Sequence, residues 1–244
     1  MSVCIVHHLG LGDQLMLNGM ARYLSKKVNT VYIVVKSCNK DTVEFMYKDC
    51  KNIVPVFVDS VSVSPQSVWG KVKELNCPPL PLATYSAPDD MWKFMTQGQG
   101  SDFSNWAHGV YIQAGVNPLY LTSKFKVERD PVREDNLYKK YNLEKENNYI
   151  FVHDQGSVDV PSINIQTKLK ILRPQLEDTN IFDYLKIIEN AKEVHCINSV
   201  FAWMIELNKI GTPETNYFHT KLEHTYYSPK SVQTVFSDDI WTFI

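Results

Sequence analysis

His7-His8-Leu9-Gly10-Leu11-Gly12-Asp13-Gln14-Leu15 is the stretch whose reading decides the fold. A short apolar run, Val3 to Val6, precedes it, and Met16, Met20 and Leu24 follow at helical spacing. Strand, glycine turn and helix in that order open an α/β sheet, and ligands gather at the C-terminal ends of such strands. Gly10 and Gly12 are expected to let the backbone turn sharply and to let a ligand approach the bare main chain. The amides that start the helix would face that ligand with partial positive charge. Asp13 is the odd member, because a carboxylate repels phosphate. It either stabilises the helix start or does chemistry.

Working outward, Val31 to Val35 is a β-rich run of the kind a buried parallel strand shows. A helix over Asp41 to Cys50 and a strand over Ile53 to Val58 complete β-α-β-α-β, the repeating unit of a doubly wound sheet. Ser64 to Leu75 reads as a further helix with Pro65 in its first turn, and Cys77 to Leu82 as an extended, stiff segment. Between 85 and 128, aromatics and glycines mix, and helices are expected over Asp89 to Met95 and Ser104 to Ala114. Asp130 to Asn142 reads as a charged surface helix. The polar block Glu144 to Asn148 suggests a boundary between domains 1–145 and 146–244.

The second half repeats the logic of the first. Tyr149 to Val152 is a buried strand that runs into the polar turn His153-Asp154-Gln155-Gly156-Ser157. Lys168 to Arg173 reads as a strand and its exit, Asn180 caps a helix, and Glu193 to Ile197 is a short strand. Asn198-Ser199 opens the next helix, Gly211-Thr212-Pro213 ends it, and Tyr217-Phe218 starts the last strand. The tail from Ser228, with Phe236, Trp241 and Phe243, is expected to pack back against the first domain.

The 244 residues, 44% hydrophobic and 21% charged, suit a soluble globular chain able to bury a sizeable core. A net charge of −2 carries no footprint for nucleic acid or anionic membrane. No apolar run approaches the roughly 20 residues of a membrane span, and no signal peptide is read at the N-terminus. Five scattered cysteines without a C-x-x-C pair point to a reduced, cytoplasmic compartment. Leu15 occupies the third glycine position of the dinucleotide fingerprint, and Lys36 stands where that fingerprint has an acid. No G-K-[ST] follows the glycines, so a P-loop is excluded. There is no D-x-D, and no His, Cys and carboxylate cluster has metal-ligand spacing.

His8 to Leu15 resembles the N-terminal signature of GT-B glycosyltransferases. It is similar to the G-D-x-L element of lipopolysaccharide heptosyltransferases and to the G-L-G-N-Q-L/M element of several fucosyltransferases. Asn198-Ser199-Val200-Phe201-Ala202-Trp203 with Gly211-Thr212-Pro213 resembles the D-[ST]-G-x-x-H turn and later G-T-P of the heptosyltransferase-like enzymes. Where that pattern has Asp, Gly and His, this chain has Asn198, Val200 and Trp203. The resemblance implies a compact GT-B architecture: α/β, with two Rossmann-like domains facing each other across a cleft. It also implies a glycosyltransferase that moves a sugar from a nucleotide-sugar donor to a hydroxyl of a glycan or glycoconjugate, without metal or cofactor.

On that reading Asp13 is the base, and deprotonating an attacking hydroxyl does call for a carboxylate or a histidine. His153 is the second catalytic candidate, with a satisfied surface turn as its bland alternative. Donor contacts would come from Gly10, Gly12 and Gln14, from Asp154, Gln155, Gly156 and Ser157, and from Lys168 and Arg173. Asn198 and Ser199 would hold the diphosphate through the helix start, although both residues are also favoured as plain caps. His8 is placed on the acceptor side. Two other readings stand beside this one: a non-catalytic sugar- or nucleotide-binding module of the same fold, and another Rossmann-like enzyme such as a methyltransferase. Lys36 speaks against the last.

Overall fold

A computed structural model of the chain describes residues 1–7, 9–82, 106–145, 148–156, 162–175, 180–220 and 236–244. The chain divides into two compact units, Met1–Glu128 and Arg129–Ile244. In the first, β1 (Ser2–Val6), α1 (Leu11–Leu24), β2 (Thr30–Lys36), α2 (Lys40–Met46), β3 (Ile53–Val58), α3 (Pro65–Glu74) and β4 (Pro79–Pro81) alternate along the chain. The strands form one parallel sheet in the order β3-β2-β1-β4. Cys4, Ile5 and Val6 of β1 and Ile33, Val34 and Val35 of β2 are sealed from solvent, as expected of central strands covered on both faces. Proline lacks the N–H that a further ladder would need, and here it marks the flanks: Pro55 on β3, Pro79 and Pro81 on β4.

Helices α4 (Trp106–Gln113) and α5 (Tyr120–Ser123) pack beside α1 in the same unit. The Tyr111 hydroxyl enters the backbone ladder of α1, donating to the Met16 carbonyl (2.8 Å) and accepting from Met20 N–H (3.0 Å). Next to it Gly19 lets α5 come very near, since a Cβ there would collide with the Tyr120 carbonyl. Arg22 anchors the far end of α1. Its guanidinium forks onto Asp49 (2.7 and 3.0 Å) and donates to the carbonyls of Met46 and Lys126.

The second unit begins with helix α6 (Pro131–Lys140), capped by Asp130. The expected boundary at 145/146 differs from this division, because charge pairs hold α6 to the segment that follows Asn180. Arg133 forks onto Asp183 (2.8 Å twice), and Lys186 meets Asp135. That segment is a 3-10 turn (Ile181–Tyr184) running into α7 (Leu185–Glu189). Strands β5 (Tyr149–His153), β6 (Lys170–Leu172), β7 (Glu193–Cys196), β8 (Asn216–Phe218) and β9 (Thr242–Phe243) form a parallel sheet in the order β6-β5-β7-β8-β9. Helix α8 (Val200–Asn208) follows β7, with Phe201 against Phe151 and Tyr184 at ring distances of 5.3 and 5.5 Å.

Residues 236–244, expected on the first domain, are built into the second sheet. Trp241 is buried and donates to the Glu206 carboxylate (3.0 Å), and Phe236 packs on Trp203 and Phe218. A large apolar tail beside an open sheet edge gains most by closing that edge. Trp203 is thereby a core residue. The helix expected over 89–95 and the start of the one expected from Ser104 lie outside the described residues.

Gly19 and Gly70 make opposite predictions. Gly19→Ala is expected to lower the unfolding free energy by about 1–3 kcal/mol through overpacking. Gly70→Ala, in α3 with open space around its Cα, is expected to raise it by roughly 0.5–1 kcal/mol. Urea denaturation of the two variants checks both.

Candidate functional site

Each sheet changes its direction of growth once: beside β1, where β2 and β4 lie on opposite sides, and beside β5, where β6 and β7 do. At such a point the loops leaving neighbouring strands part, and the crevice outside the carboxyl ends is where open α/β sheets bind ligands. Both turns singled out in the sequence stand at these points.

In the first unit the sharp turn is made by Leu9, not by a glycine. Leu9 takes the left-handed conformation (φ 65°) with its side chain fully buried among Cys4, Val6, Val34 and Val68. Core packing holds a conformation that a leucine otherwise avoids, at roughly 1 kcal/mol. Gly10 is extended (φ −69°, ψ 151°), and its lack of a side chain serves another purpose. A Cβ there would strike the Asp13 carboxylate, which instead accepts the Gly10 N–H at 3.0 Å. Gly12 lies in the first turn of α1.

Gln14 is completely buried. Its Nε2 donates to the Val34 carbonyl (3.1 Å) and stands 2.6 Å from His7 Nε2, so it ties β1 to β2 behind the turn. His7 Nδ1 also lies 3.2 Å from the Leu9 N–H. A neutral imidazole accepts at one nitrogen only, so the tautomer decides which of the two contacts is made. Asp13 and His7 border a depression walled by Met16, Leu17, Leu82, Ala107, Val110 and the Tyr111 ring. His8 lies outside the described residues.

In the second unit β5 ends at His153, which is buried and paired through its Nδ1 with the Ser199 hydroxyl (2.9 Å). Ser199 caps α8 by accepting from Ala202 N–H, which leaves its proton to donate to the ring. Burial pushes His153 down to about 4, the neighbouring Asp154 only partly opposing it. It is a neutral ring that orients Ser199, and a weak base for a hydroxyl at pH 7.

Asp154 and Arg173, read separately in the sequence, form one pair. Arg173 Nη2 lies 2.9 Å from the carboxylate and also donates to the Ile163 carbonyl, while Asp154 accepts the Ile163 N–H at 2.9 Å. Burial opposes ionisation of Asp154, yet these donors hold its carboxyl below the usual range. Gln155 and Gly156 are exposed beside it, and Ser157 lies outside the described residues. Asn198 is half-buried ahead of the cap. Lys168 does not join them. Lys170 pairs with Tyr149 at the first residue of β5, so Lys168 sits beyond the opposite, N-terminal edge of this parallel sheet.

A further group escaped the sequence reading. Glu193 and His195 alternate along β7 on one face, and Tyr217 and His219 do so along β8 and its exit. His195 Nε2 lies 3.0 Å from the Glu193 carboxylate, its Nδ1 lies 3.0 Å from His219 Nε2, and its ring stacks on Tyr217. The signal was the two-residue period of two strands already assigned. Among the described residues no group of three or more His, Cys, Asp and Glu is placed to hold a metal ion, and no helix is long and apolar enough to cross a membrane.

No protein-family model and no curated protein matches the sequence. Among the solved structures that match is the crystal structure of the glycosyl transferase family 9 from Veillonella parvula DSM 2008. It aligns at a TM-score of 0.56 and 11% identity, over 89% of this chain and 80% of that one. The likeness is one of fold. The α/β architecture with two parallel sheets is therefore shared with a glycosyl transferase across most of both chains.

The buried histidine makes stability pH-dependent with a definite sign. His153 folds with a value near 4 against an ordinary 6.5, so the unfolded chain takes up the proton first as pH falls. Its contribution, about 3 kcal/mol, is complete above the unfolded value and is lost between about pH 6.5 and pH 4. His219, also lowered to about 4, acts in the same direction. Urea midpoints are expected to fall over that window, and His153→Gln to flatten the slope.

Proposed function

We propose that this chain is a glycosyltransferase, moving a sugar from a nucleotide-sugar donor to a hydroxyl of a glycan or glycoconjugate. The observation that carries the reading is the fold shared with a glycosyl transferase over 89% of the chain. The heptosyltransferase-like motifs at His8 to Leu15 and at Asn198 to Trp203 support it from the sequence side.

In this mechanism Asp13 takes the proton of the acceptor hydroxyl as it attacks the anomeric carbon. The Gly10 N–H that makes Asp13 a helix cap also fixes the carboxylate's direction, so capping and catalysis use one orientation. Gly10 and Gly12 keep the main chain bare on that side. The leaving diphosphate is received by the start of α8, where backbone amides and the Ser199 hydroxyl converge, with Asn198 and His153 orienting them. Arg173 adds charge. Asp154 and Ile163 hold its Nε and Nη2, and its Nη1 has no hydrogen-bond partner among the described residues.

Charge neutralisation by amides and a guanidinium needs neither metal nor cofactor, and we propose that none takes part. We also propose a cytoplasmic location, in keeping with five scattered cysteines that form no C-x-x-C pair. One observation favours a second reading, a non-catalytic binding module: Trp203 is core where the heptosyltransferase pattern has its histidine.

A thermal-shift screen against nucleotides and nucleotide-sugars comes first, since a ligand of the native state raises the melting temperature. The transferase reading expects a shift with one nucleoside diphosphate, enlarged by its attached sugar. Asp13→Asn retains an acceptor for Gly10 N–H and is expected to cut transfer by about 10²–10⁴-fold with donor binding unchanged. Activity within a few-fold of wild type removes Asp13 as the base. Binding without transfer of any sugar establishes the module instead.

A further inference from the structure

The Glu193, His195 and His219 chain has a direction that its hydrogen bonds fix. A carboxylate only accepts, so His195 must present Nε2–H to Glu193 (3.0 Å). Neutral His195 then has a lone pair at Nδ1, and His219 must donate its Nε2–H to it (3.0 Å). The lone pair left at the end of the chain is His219 Nδ1, which has no hydrogen-bond partner among the described residues.

His219 is the first residue past β8, and its N–H is bonded to the carbonyl of Cys196, the last residue of β7 (2.8 Å). It therefore stands on the carboxyl edge of the sheet, two strands over from His153 and next to the strand whose exit leads into α8. Lys168, one of the two basic residues singled out in the sequence, is at the other edge. This edge instead carries a relay whose inner members are held in place: His195 is 6% exposed and stacked on Tyr217.

We propose that His219 is an anion-binding residue for the diphosphate of the donor, and that it takes up a proton when that group binds. This rests on the glycosyltransferase reading for the identity of the ligand, though not for the relay. In the free protein the groups facing His219 are His195 and Glu193 from β7, Tyr217 beside it on β8 and Asp154 from the end of β5. Burial and neighbouring His195 lower His219 to about 4, with Asp154 opposing, so the ring is neutral at pH 7. A diphosphate beside Nδ1 reverses the balance, since a nearby anion favours the charged form. A proton from solvent then adds to Nδ1 and is donated to a phosphate oxygen. The positive charge is shared inward through His195 to Glu193, whose carboxylate closes the chain. No bond other than N–H is made, and no other reactant is consumed.

The test is calorimetric titration of the full chain at pH 7 with inorganic pyrophosphate and with uridine, adenosine and guanosine diphosphates. Each titration is run in two buffers of different ionisation enthalpy, which reports the protons exchanged on binding. The expected result is an uptake of about one proton beyond the ligand's own contribution, lost in His219→Gln together with about tenfold in affinity. Glu193→Gln leaves His219 in place and can still accept from His195, so it is expected to reduce uptake while the protein melts as wild type. That variant also keeps the test decisive if His219→Gln does not fold.

Binding without proton uptake, or uptake unchanged in either variant, overturns the proposal. A sugar-transfer assay run in parallel separates the two readings. Transfer without proton uptake removes this site alone. Uptake at His219 without transfer keeps the site and removes the transferase. If no diphosphate binds, the proposal fails outright.

Discussion

A parallel strand reaches its neighbour only through a crossover, and every crossover leaves its strand at the same edge of the sheet. While successive crossovers move in one direction, the loops at that edge overlap and close it. Where the direction changes they part, and main-chain groups are left without a neighbour. In this molecule that happens beside β1 and again beside β5. What stands at these openings is not ordinary loop: a left-handed leucine, a carboxylate on the first turn of α1, a buried histidine and serine, and an oriented arginine.

Placing polar groups there has a cost, and the structure shows how it is offset. Gln14 Nε2 and His153 Nδ1 are buried against hydrogen-bond partners, and His153 remains neutral because charging it would need water. Asp154 is held as an ion by the fork of Arg173 and the Ile163 N–H. An unpaired carboxylate at that depth would be strongly destabilising, whereas a paired one fixes the guanidinium's direction. Trp203 is the surface on which the tail residue Phe236 packs.

Much of the fold was legible because parallel strands are buried on both faces. Val31 to Val35 and Tyr149 to Val152 read as strands from composition alone, and the structure extends them by one or two residues. The two turns were legible for the same reason, as the first polar groups after an apolar run. The mechanism of the first turn was not. Glycine's freedom pointed to Gly10 and Gly12 as the reversal, but the tertiary core chooses Leu9, whose side chain has somewhere to go. The partnership of Asp154 with Arg173 was also hidden, since it depends on β6 lying beside β5 rather than on any spacing. Lys168 and Arg173 looked equivalent until the direction of a three-residue strand set them at opposite edges. The tail's strand in the second sheet was not legible, because aromatic content announces that a segment packs, not where.

The difference between the two histidines at the carboxyl edge of the second sheet follows from what each ring touches. His153 meets a serine hydroxyl and a phenylalanine ring, and among the described residues it has no carboxylate in hydrogen-bond contact to stabilise a proton. Such a ring can orient a donor but gains little by charging. His219 reaches a carboxylate through one intervening imidazole, so a proton taken at its outer nitrogen has a stabilised end state. His153 would have to charge inside an apolar wall, which leaves Asp13, whose carboxylate is aligned by the Gly10 N–H, as the proposed base.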